Sequence, residues 1–323
     1  MGIKLLACGA SLGIALISQR AFGAAILGSM YEPFDYPAGT LFPNTGGTPN
    51  GGAGWNTTGD GNLANTTGWG TGTQNNGAST GANRTATSPG LSYTATGYVS
   101  ALGNKLTLDS LTPASSESMS RLLGGQTIDS GTTYFSALMR RENDTVRTMN
   151  LAFFSTTPST SERLTIGQVG ATVSGSLQGS NGKICAIYTN SNPAGIRASS
   201  VDMGTGITHL ILGRVDWNTS LALDTVTMWV DPTDVTTEAS AASAQFYTGT
   251  EFDLTSFNFV RPFTGNAAVG PPAAVPAVGS YDELRIGGTW DSVTKTTIVP
   301  EPATLALLSL GGIVVLGRRR SAR

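Results

Sequence analysis

Short apolar segments recur along the chain from Leu91 onward, roughly every ten to fifteen residues, and Gly, Asn, Pro and Asp separate them. This rhythm is typical of an antiparallel β-sandwich, so the predicted class is all-β. The best helix candidate is the Ser-rich segment 113–123. Strands are predicted at 133–141, 148–154, 164–166, 183–188, 208–216, 224–230, 255–260 and 281–286.

The segment 224–230 carries the clearest alternation of apolar and polar positions. A two-residue period places Val226, Met228 and Val230 on one face and Thr225, Thr227 and Trp229 on the other. The first set is predicted to face the interior between two sheets. Asp231 and Pro232 then end the strand, because proline has no amide hydrogen for the ladder.

Both ends of the chain read as targeting segments and not as parts of the fold. Lys4, the apolar run 5–17 and the small residues up to Ala25 predict a secretory signal peptide over 1–25. Near the other end, Val299, Pro300, Glu301 and Pro302 precede an apolar run of about 15 residues, shorter than the ~20 that span a bilayer. Three arginines follow: Arg318, Arg319 and Arg320.

Residues 26–298 then form the predicted body, in which the Gly-, Asn- and Thr-rich region 44–90 is expected to be mostly loop. Charged residues are 12% of the chain and the net charge is −2, so no basic patch supports nucleic-acid binding. Cys8 leaves with the signal peptide. Cys185, within the predicted strand 183–188, is expected to be a buried, inert thiol.

The tail closely resembles the PEP-CTERM sorting signal of exported bacterial proteins, on the strength of Pro300, Glu301, Pro302, the apolar run and the arginine cluster. The resemblance implies export and recognition by an exosortase-type membrane transpeptidase. It also implies transient membrane association through the tail, followed by release or attachment at the cell surface. In that family the signal often accompanies exopolysaccharide and biofilm systems. The alternative is a plain C-terminal membrane anchor that no enzyme processes.

The body resembles the laminin-G-like, concanavalin-type domains of such proteins. The residues that carry this resemblance are 31–41, 209–216, 225–232 and 281–287. It implies a jelly-roll β-sandwich in which Leu284, Arg285, Ile286 and Gly287 pair beside the first strand.

The sequence contains no complete motif for a catalytic site. The segment Glu251-Phe252-Asp253-Leu254-Thr255-Ser256 approaches the Glu-x-Asp-x-x-Glu strand of concanavalin-type glucanases, but Ser256 replaces the second glutamate, which supplies the proton. Asp282 and Glu283 are adjacent, so on a regular strand they face opposite sides. The single histidine, His209, is expected to be a hydrogen-bonded strand residue. No catalytic residue is therefore predicted.

Two kinds of binding residue remain as candidates. Asp216, Asp231 and Asp234 follow predicted strands and could ligate calcium, the one cofactor considered, although turn capping is the alternative. Trp229 is the favoured glycan contact among five tryptophans, since it alternates away from the interior face; packing is its alternative. Five Asn-x-Ser/Thr motifs begin at Asn56, Asn65, Asn83, Asn143 and Asn218, a number expected largely by chance in such a chain.

These observations favour a non-enzymatic exported surface or extracellular-matrix protein that binds polysaccharide or has a structural role in biofilm or envelope. A secreted glycoside hydrolase or lyase on the same fold is the main alternative, and a purely structural envelope protein is the third. Turnover of polysaccharide would separate the first two.

The tail generates the first testable prediction. Because its apolar run is short and contains Gly311 and Gly312, it is poorly suited to a durable membrane span, and the mature protein is expected to lack Arg318, Arg319 and Arg320. Mass spectrometry of the protein extracted from the cell surface measures this directly. An intact C-terminus would contradict processing.

Overall fold

The computed structural model describes residues 29–42, 70–71, 83–100, 103–111, 115–123, 127–143, 148–155, 162–169, 172–173, 177–178, 182–188, 196–218, 220, 223–265 and 275–295. The predicted signal peptide, the sorting signal and much of the region 44–90 lie outside this part of the chain. Across the ranges given, no helix is both long and apolar enough to cross a membrane.

The described chain is built almost entirely from antiparallel strands. One short α-helix, α1 (Trp290–Thr294), follows the last strand, and a 3-10 helix (Ala242–Ala244) precedes the strand at 245–252. The strands are Met30–Glu32 (β1), Gly70–Thr71 (β2), Arg84–Thr87 (β3), Lys105–Asp109 (β4), Ser116–Leu122 (β5), Thr132–Arg141 (β6), Thr148–Phe154 (β7), Glu162–Gln168 (β8), Thr172–Val173 (β9), Leu177–Gln178 (β10), Lys183–Tyr188 (β11), Ile196–Asp202 (β12), Thr208–Asp216 (β13), Asp224–Val230 (β14), Gln245–Phe252 (β15), Phe259–Gly265 (β16) and Val278–Gly287 (β17).

Two large sheets contain nearly all of these strands. The eight-stranded sheet has the order β15-β14-β13-β6-β17-β4-β3, with β1 also paired to β17. The seven-stranded sheet has the order β12-β11-β8-β7-β16-β5-β2. The chain crosses between the sheets at β4–β5–β6–β7, again at β12–β13, and at β15–β16–β17. The predicted all-β jelly-roll sandwich is confirmed.

The last strand closes the sandwich as the sequence predicts. The first half of β17 pairs with β4, and its second half pairs with β1, where Glu32 lies opposite Leu284 and Met30 opposite Ile286. The predicted pairing of residues 284–287 beside the first strand is therefore confirmed. Strand β7 is buried along its whole length in the middle of its sheet, as its two apolar faces indicate.

The interior between the sheets follows the predicted phase of β14. Val226, Met228 and Val230 all belong to the main apolar core. Cys185 is also buried, as expected, and its Sγ contacts the Gly167 carbonyl oxygen at 3.1 Å.

A second apolar layer covers the other face of the eight-stranded sheet. Residues 91–98, residues 235–241 and α1 pack there, bringing Leu91, Tyr98 and Val293 onto Leu138, Leu210 and Leu212. Thr289 caps α1 by accepting the Ser292 N–H at 3.2 Å, and Trp290 Nε1 donates to the Val235 carbonyl at 2.8 Å. This face of the sandwich is thereby sealed.

Two segments differ from their interpretation in the sequence. The best helix candidate, 113–123, is a strand over its described part, since Ser116–Leu122 forms β5. The strand expected at 255–260 starts later and runs from Phe259 to Gly265 as β16. In β5 the serines alternate with Glu117, Met119 and Arg121, so the segment has a two-residue period that a helix could not use.

Buried ion pairs join β5 to the opposite sheet. Glu117 pairs with Arg84 of β3, and both side chains are at most 1% exposed. Arg121 pairs with Glu32 of β1, again with both side chains buried. Burial lowers the pKa of Arg121, and the charge of Glu32 opposes that shift. Both pairs cross the interior of the sandwich and set how β5 sits against β1 and β3.

Removing one member of such a pair is expected to be costly. Glu117→Gln leaves the buried Arg84 guanidinium facing a neutral group, and we expect a loss of about 3–5 kcal/mol in the free energy of unfolding. Denaturant unfolding measures it. The matched control is Glu238→Gln in the half-exposed pair with Arg214, where at most about 1 kcal/mol is expected.

A double variant, Arg84→Met with Glu117→Leu, removes both charges and is expected to recover much of the lost stability. Equal losses for Glu117→Gln and Glu238→Gln would contradict a structural role for the buried pair.

Candidate functional site

Trp229 does not offer a surface to a glycan. It faces away from the main core, as predicted, but its indole is 1% exposed and packs edge-on against Trp290 with ring centroids 5.3 Å apart. The prediction of a glycan contact at Trp229 is therefore wrong, because a second layer covers the sheet face that the alternation left free. Trp217 and Trp290 are also buried, and Trp55 and Trp69 lie outside the described residues.

The three calcium candidates lie in different surroundings. Asp216 accepts hydrogen bonds from Arg214 and Thr132, and Asp234 caps the turn that contains Thr236 and Ser240. Asp231 bonds to His209 and to the backbone of Leu210. In the part of the chain that the structure describes, no three His, Cys, Asp or Glu side chains group so that they could hold a metal ion.

The glucanase-like segment is divided between two kinds of structure. Strand β15 ends at Phe252, directly after Glu251, and Asp253 and Ser256 lie in the loop that follows. The segment therefore does not present its polar positions along one strand face.

A polar cleft opens where the edges of the two sheets meet. Its walls are β12, the edge strand of the seven-stranded sheet, and β15, the edge strand of the eight-stranded sheet, and its volume is about 270 Å³. Most of the lining consists of hydroxyl, carboxylate and amide groups beside one aromatic ring. The groups concerned belong to Ser199, Ser200, Thr233, Ser243, Asp231, Gln245 and Phe246.

Asp231 holds a fixed position in this cleft. It follows the last residue of β14 with a φ of 52°, a left-handed conformation that is uncommon outside glycine, asparagine and aspartate. Its Oδ1 accepts the Leu210 N–H at 3.0 Å, and its Oδ2 lies 2.7 Å from His209 Nδ1. The carboxyl group is still 28% exposed. A carboxylate has about four acceptor sites, so Asp231 keeps acceptor capacity for a ligand.

His209 orients that carboxylate from inside the protein. The ring is 3% exposed, and an Nδ1–H that donates to Asp231 is the tautomer that suits the contact. Nε2 has no hydrogen-bond partner among the described residues. The prediction of a hydrogen-bonded strand histidine is confirmed for Nδ1. With Nδ1 held by the carboxylate, His209 acts as a positioning residue for Asp231.

Sequence reasoning identified Asp231 but missed the cleft around it. Ser199 and Ser200 belong to β12, and Gln245 and Phe246 begin β15, so they meet only because two edge strands from different sheets lie together. No spacing motif in the sequence signals such a meeting.

A second group of titratable side chains lies at a bulge in β17. The register with β6 shifts between Asp282 and Arg285, and Glu283 adopts a φ of 51°. The expectation that Asp282 and Glu283 face opposite sides rests on a regular strand, and the bulge breaks that alternation. Both residues are buried beneath the second apolar layer.

The bulge residues are held by specific contacts. Asp282 accepts the Leu91 N–H at 2.8 Å, and Glu283 accepts from the Tyr31 hydroxyl at 3.0 Å and pairs with Arg285. The Arg285 guanidinium lies over the Tyr98 ring, 4.9 Å from its centroid. Burial, and next the charge of Glu283, raise the pKa of Asp282 to about 8. Because this group is sealed from solvent, it is a stability element and not a ligand site.

The comparison with known families bears on the tail. Residues 299–320 match the PEP-CTERM protein-sorting motif. The chain is therefore an exported protein that carries a C-terminal signal for sorting by an exosortase system. This confirms the prediction made from Pro300, Glu301, Pro302 and the arginine cluster. No curated protein matches the chain.

Solved structures resemble the fold at low sequence identity. An endo-β-1,4-glucuronan lyase from the fungus Trichoderma reesei has a TM-score of 0.42 and 14% identity, covering 62% of this chain and 88% of that one. The alginate lyase Aly36B, in a complex with alginate tetrasaccharide, gives 0.43 and 12%, covering 80% and 96%. An endo-1,3-β-glucanase from Streptomyces sioyaensis gives 0.40 and 12%, covering 79% and 94%.

The buried Asp282 predicts an unusual dependence of stability on pH. Its folded-state pKa is near 8 and its ordinary value is 3.8, so between these pH values the native state holds a proton that the unfolded chain releases. Its contribution to stability is therefore fully present below about pH 4 and is lost as pH rises toward 8, with a slope of up to about 1.4 kcal/mol per pH unit.

Asp282→Asn is expected to remove this slope, measured as the difference from the parent in unfolding free energy at pH 5, 6, 7 and 8. The exposed Asp129→Asn is the control and should follow the parent at every pH. Parallel profiles for the parent and Asp282→Asn would contradict the assignment.

Proposed function

We propose that this exported protein acts at the cell surface or in the extracellular matrix by binding polysaccharide without cleaving it, and that the cleft between β12 and β15 is its glycan site. The observation that carries the proposal is the position of Asp231. Asp231 lines the cleft, its carboxylate is held by contacts with His209 and the Leu210 N–H, and its side chain is still 28% exposed.

The lining suits a sugar. Carboxylate and amide oxygens accept from sugar hydroxyl groups, serine and threonine hydroxyls both donate and accept, and the ring of Phe246 offers an apolar surface. The volume is slightly below the lower end of the usual range for small-molecule sites, so the cleft fits a short stretch or an end of a polymer. We expect weak binding of each chain and stronger retention on a matrix that presents many copies.

The carboxylate count favours binding over hydrolysis. Glycoside hydrolysis usually needs two carboxyl groups, about 5–9.5 Å apart across the scissile bond. Of the described residues that line the cleft, Asp231 alone carries a carboxylate. The hydrolase or lyase reading remains the alternative, with release of sugar as its signature.

The test is affinity electrophoresis on a panel of neutral and acidic polysaccharides. Asp231→Asn preserves the shape of the side chain and tolerates the left-handed backbone, yet it replaces a charged acceptor. Loss of one such charge-assisted hydrogen bond is expected to weaken binding by about 1.5–3 kcal/mol, roughly 10- to 150-fold. Asp234→Asn is the matched control, since this aspartate follows the same strand but does not line the cleft.

Three results would contradict the proposal. The parent protein could show no retardation on any polysaccharide, or Asp231→Asn could be retarded as strongly as the parent. Release of reducing or unsaturated sugar by the parent would support the enzymatic alternative instead.

A further inference from the structure

The five Asn-x-Ser/Thr motifs are equivalent in the sequence but not in the structure. Such a motif is an acceptor for N-linked glycan only where its asparagine lies on the surface of an exported protein. The motifs at Asn56 and Asn65 lie outside the described residues. The remaining three can be compared directly.

Of these three asparagines, one is buried in the fold and another has both amide atoms in hydrogen bonds. Asn83 is 5% exposed and is followed by Arg84, which is fully buried in its pair with Glu117. Both amide atoms of Asn143 are engaged: Nδ2 donates to the Pro276 carbonyl at 2.6 Å, and Oδ1 accepts the Val278 N–H at 3.2 Å. Neither amide nitrogen is available to a modifying enzyme.

Asn218 differs from both in its exposure and in the contacts of its amide group. Its side chain is exposed, and its Oδ1 accepts the N–H of Ser220, the third residue of the motif, at 3.1 Å. Among the described residues Nδ2 has no hydrogen-bond partner. The Asn218 N–H donates to Asp224 Oδ1 at 2.8 Å, and the preceding residue, Trp217, is buried.

We propose that Asn218 is a site of N-linked glycosylation during or after export. The hydrogen bond from the Ser220 N–H engages Oδ1 and not Nδ2, and Ser220 supplies the hydroxyl that the motif requires. Thr219, which lies outside the described residues, fills the middle position, where any residue except proline is compatible with the motif.

The donor is an oligosaccharide linked to a lipid through a diphosphate. Nδ2 attacks the anomeric carbon of the first sugar, a C–N bond forms, and the C–O bond to the diphosphate breaks. The lipid diphosphate leaves with the bonding electrons, and one amide proton passes to a base of the transferase. No oxidant or reductant takes part.

The experiment uses the full-length protein expressed in, and purified from, the cells that naturally make it. Mass spectrometry of the peptide that contains Asn218 is expected to show an added glycan mass with sugar fragment ions. Asn218→Gln and Ser220→Ala should each abolish the addition, whereas Ser220→Thr keeps the motif and should retain it. Asn143→Gln is the control asparagine and should leave the glycan on Asn218 unchanged.

An unmodified Asn218 in the exported parent protein would overturn the proposal. So would a glycan on this peptide that persists in Asn218→Gln, because that result would assign it to a hydroxyl of Thr219 or Ser220. Loss in Ser220→Thr as well as in Ser220→Ala would show that the hydroxyl motif is not what the modifying enzyme reads.

Discussion

The architecture depends on charges sealed between the two sheets. Arg84 with Glu117 and Arg121 with Glu32 connect β5 to strands β3 and β1 of the opposite sheet, and all four side chains are almost completely buried. A buried charge without its partner is strongly destabilising, whereas the pair offsets most of its own desolvation cost. Charged residues are only 12% of this chain, and four of them form these two buried pairs.

Charged residues are also buried on the other face of the eight-stranded sheet, which the second apolar layer covers. That layer brings Leu91, Tyr98 and Trp290 over β13, β14 and β17, so a sheet face that could have bound a ligand is filled with side chains. Beneath it the β17 bulge places Asp282 beside Glu283, and burial favours the protonated form of Asp282. A ligand site must be accessible to solvent, so this covered face is unsuited to one and the edges of the sheets are the alternative.

The cleft between β12 and β15 lies at one edge of the sandwich. One wall comes from each sheet, so its shape depends on how the two edges align. His209 links the sandwich to the cleft. It lies in β13, and its Nδ1 holds the carboxylate of Asp231, which lines the cleft. In the proposed function, sorting and binding are thus separate in the chain, with the sorting signal in the tail and the ligand-contacting groups in the sandwich.

The sequence alone determined what is local. The apolar run after Pro302 marks the sorting tail, the alternation around Met228 assigns its face, and the pairing of residues 284–287 with the first strand follows from the resemblance. Tertiary structure decided the rest. Periodicity shows that Trp229 points away from the core but not that Trp290 covers it, and it gives no sign that Ser199 and Gln245 meet. In β5 the alternation of serines with Glu117, Met119 and Arg121 indicates a strand, but the buried partners of Glu117 and Arg121 come from distant strands. The physical reason is that backbone periodicity is a property of neighbours in the chain, whereas burial and ion pairing depend on residues that are distant in sequence and are brought together only by the packed sheets.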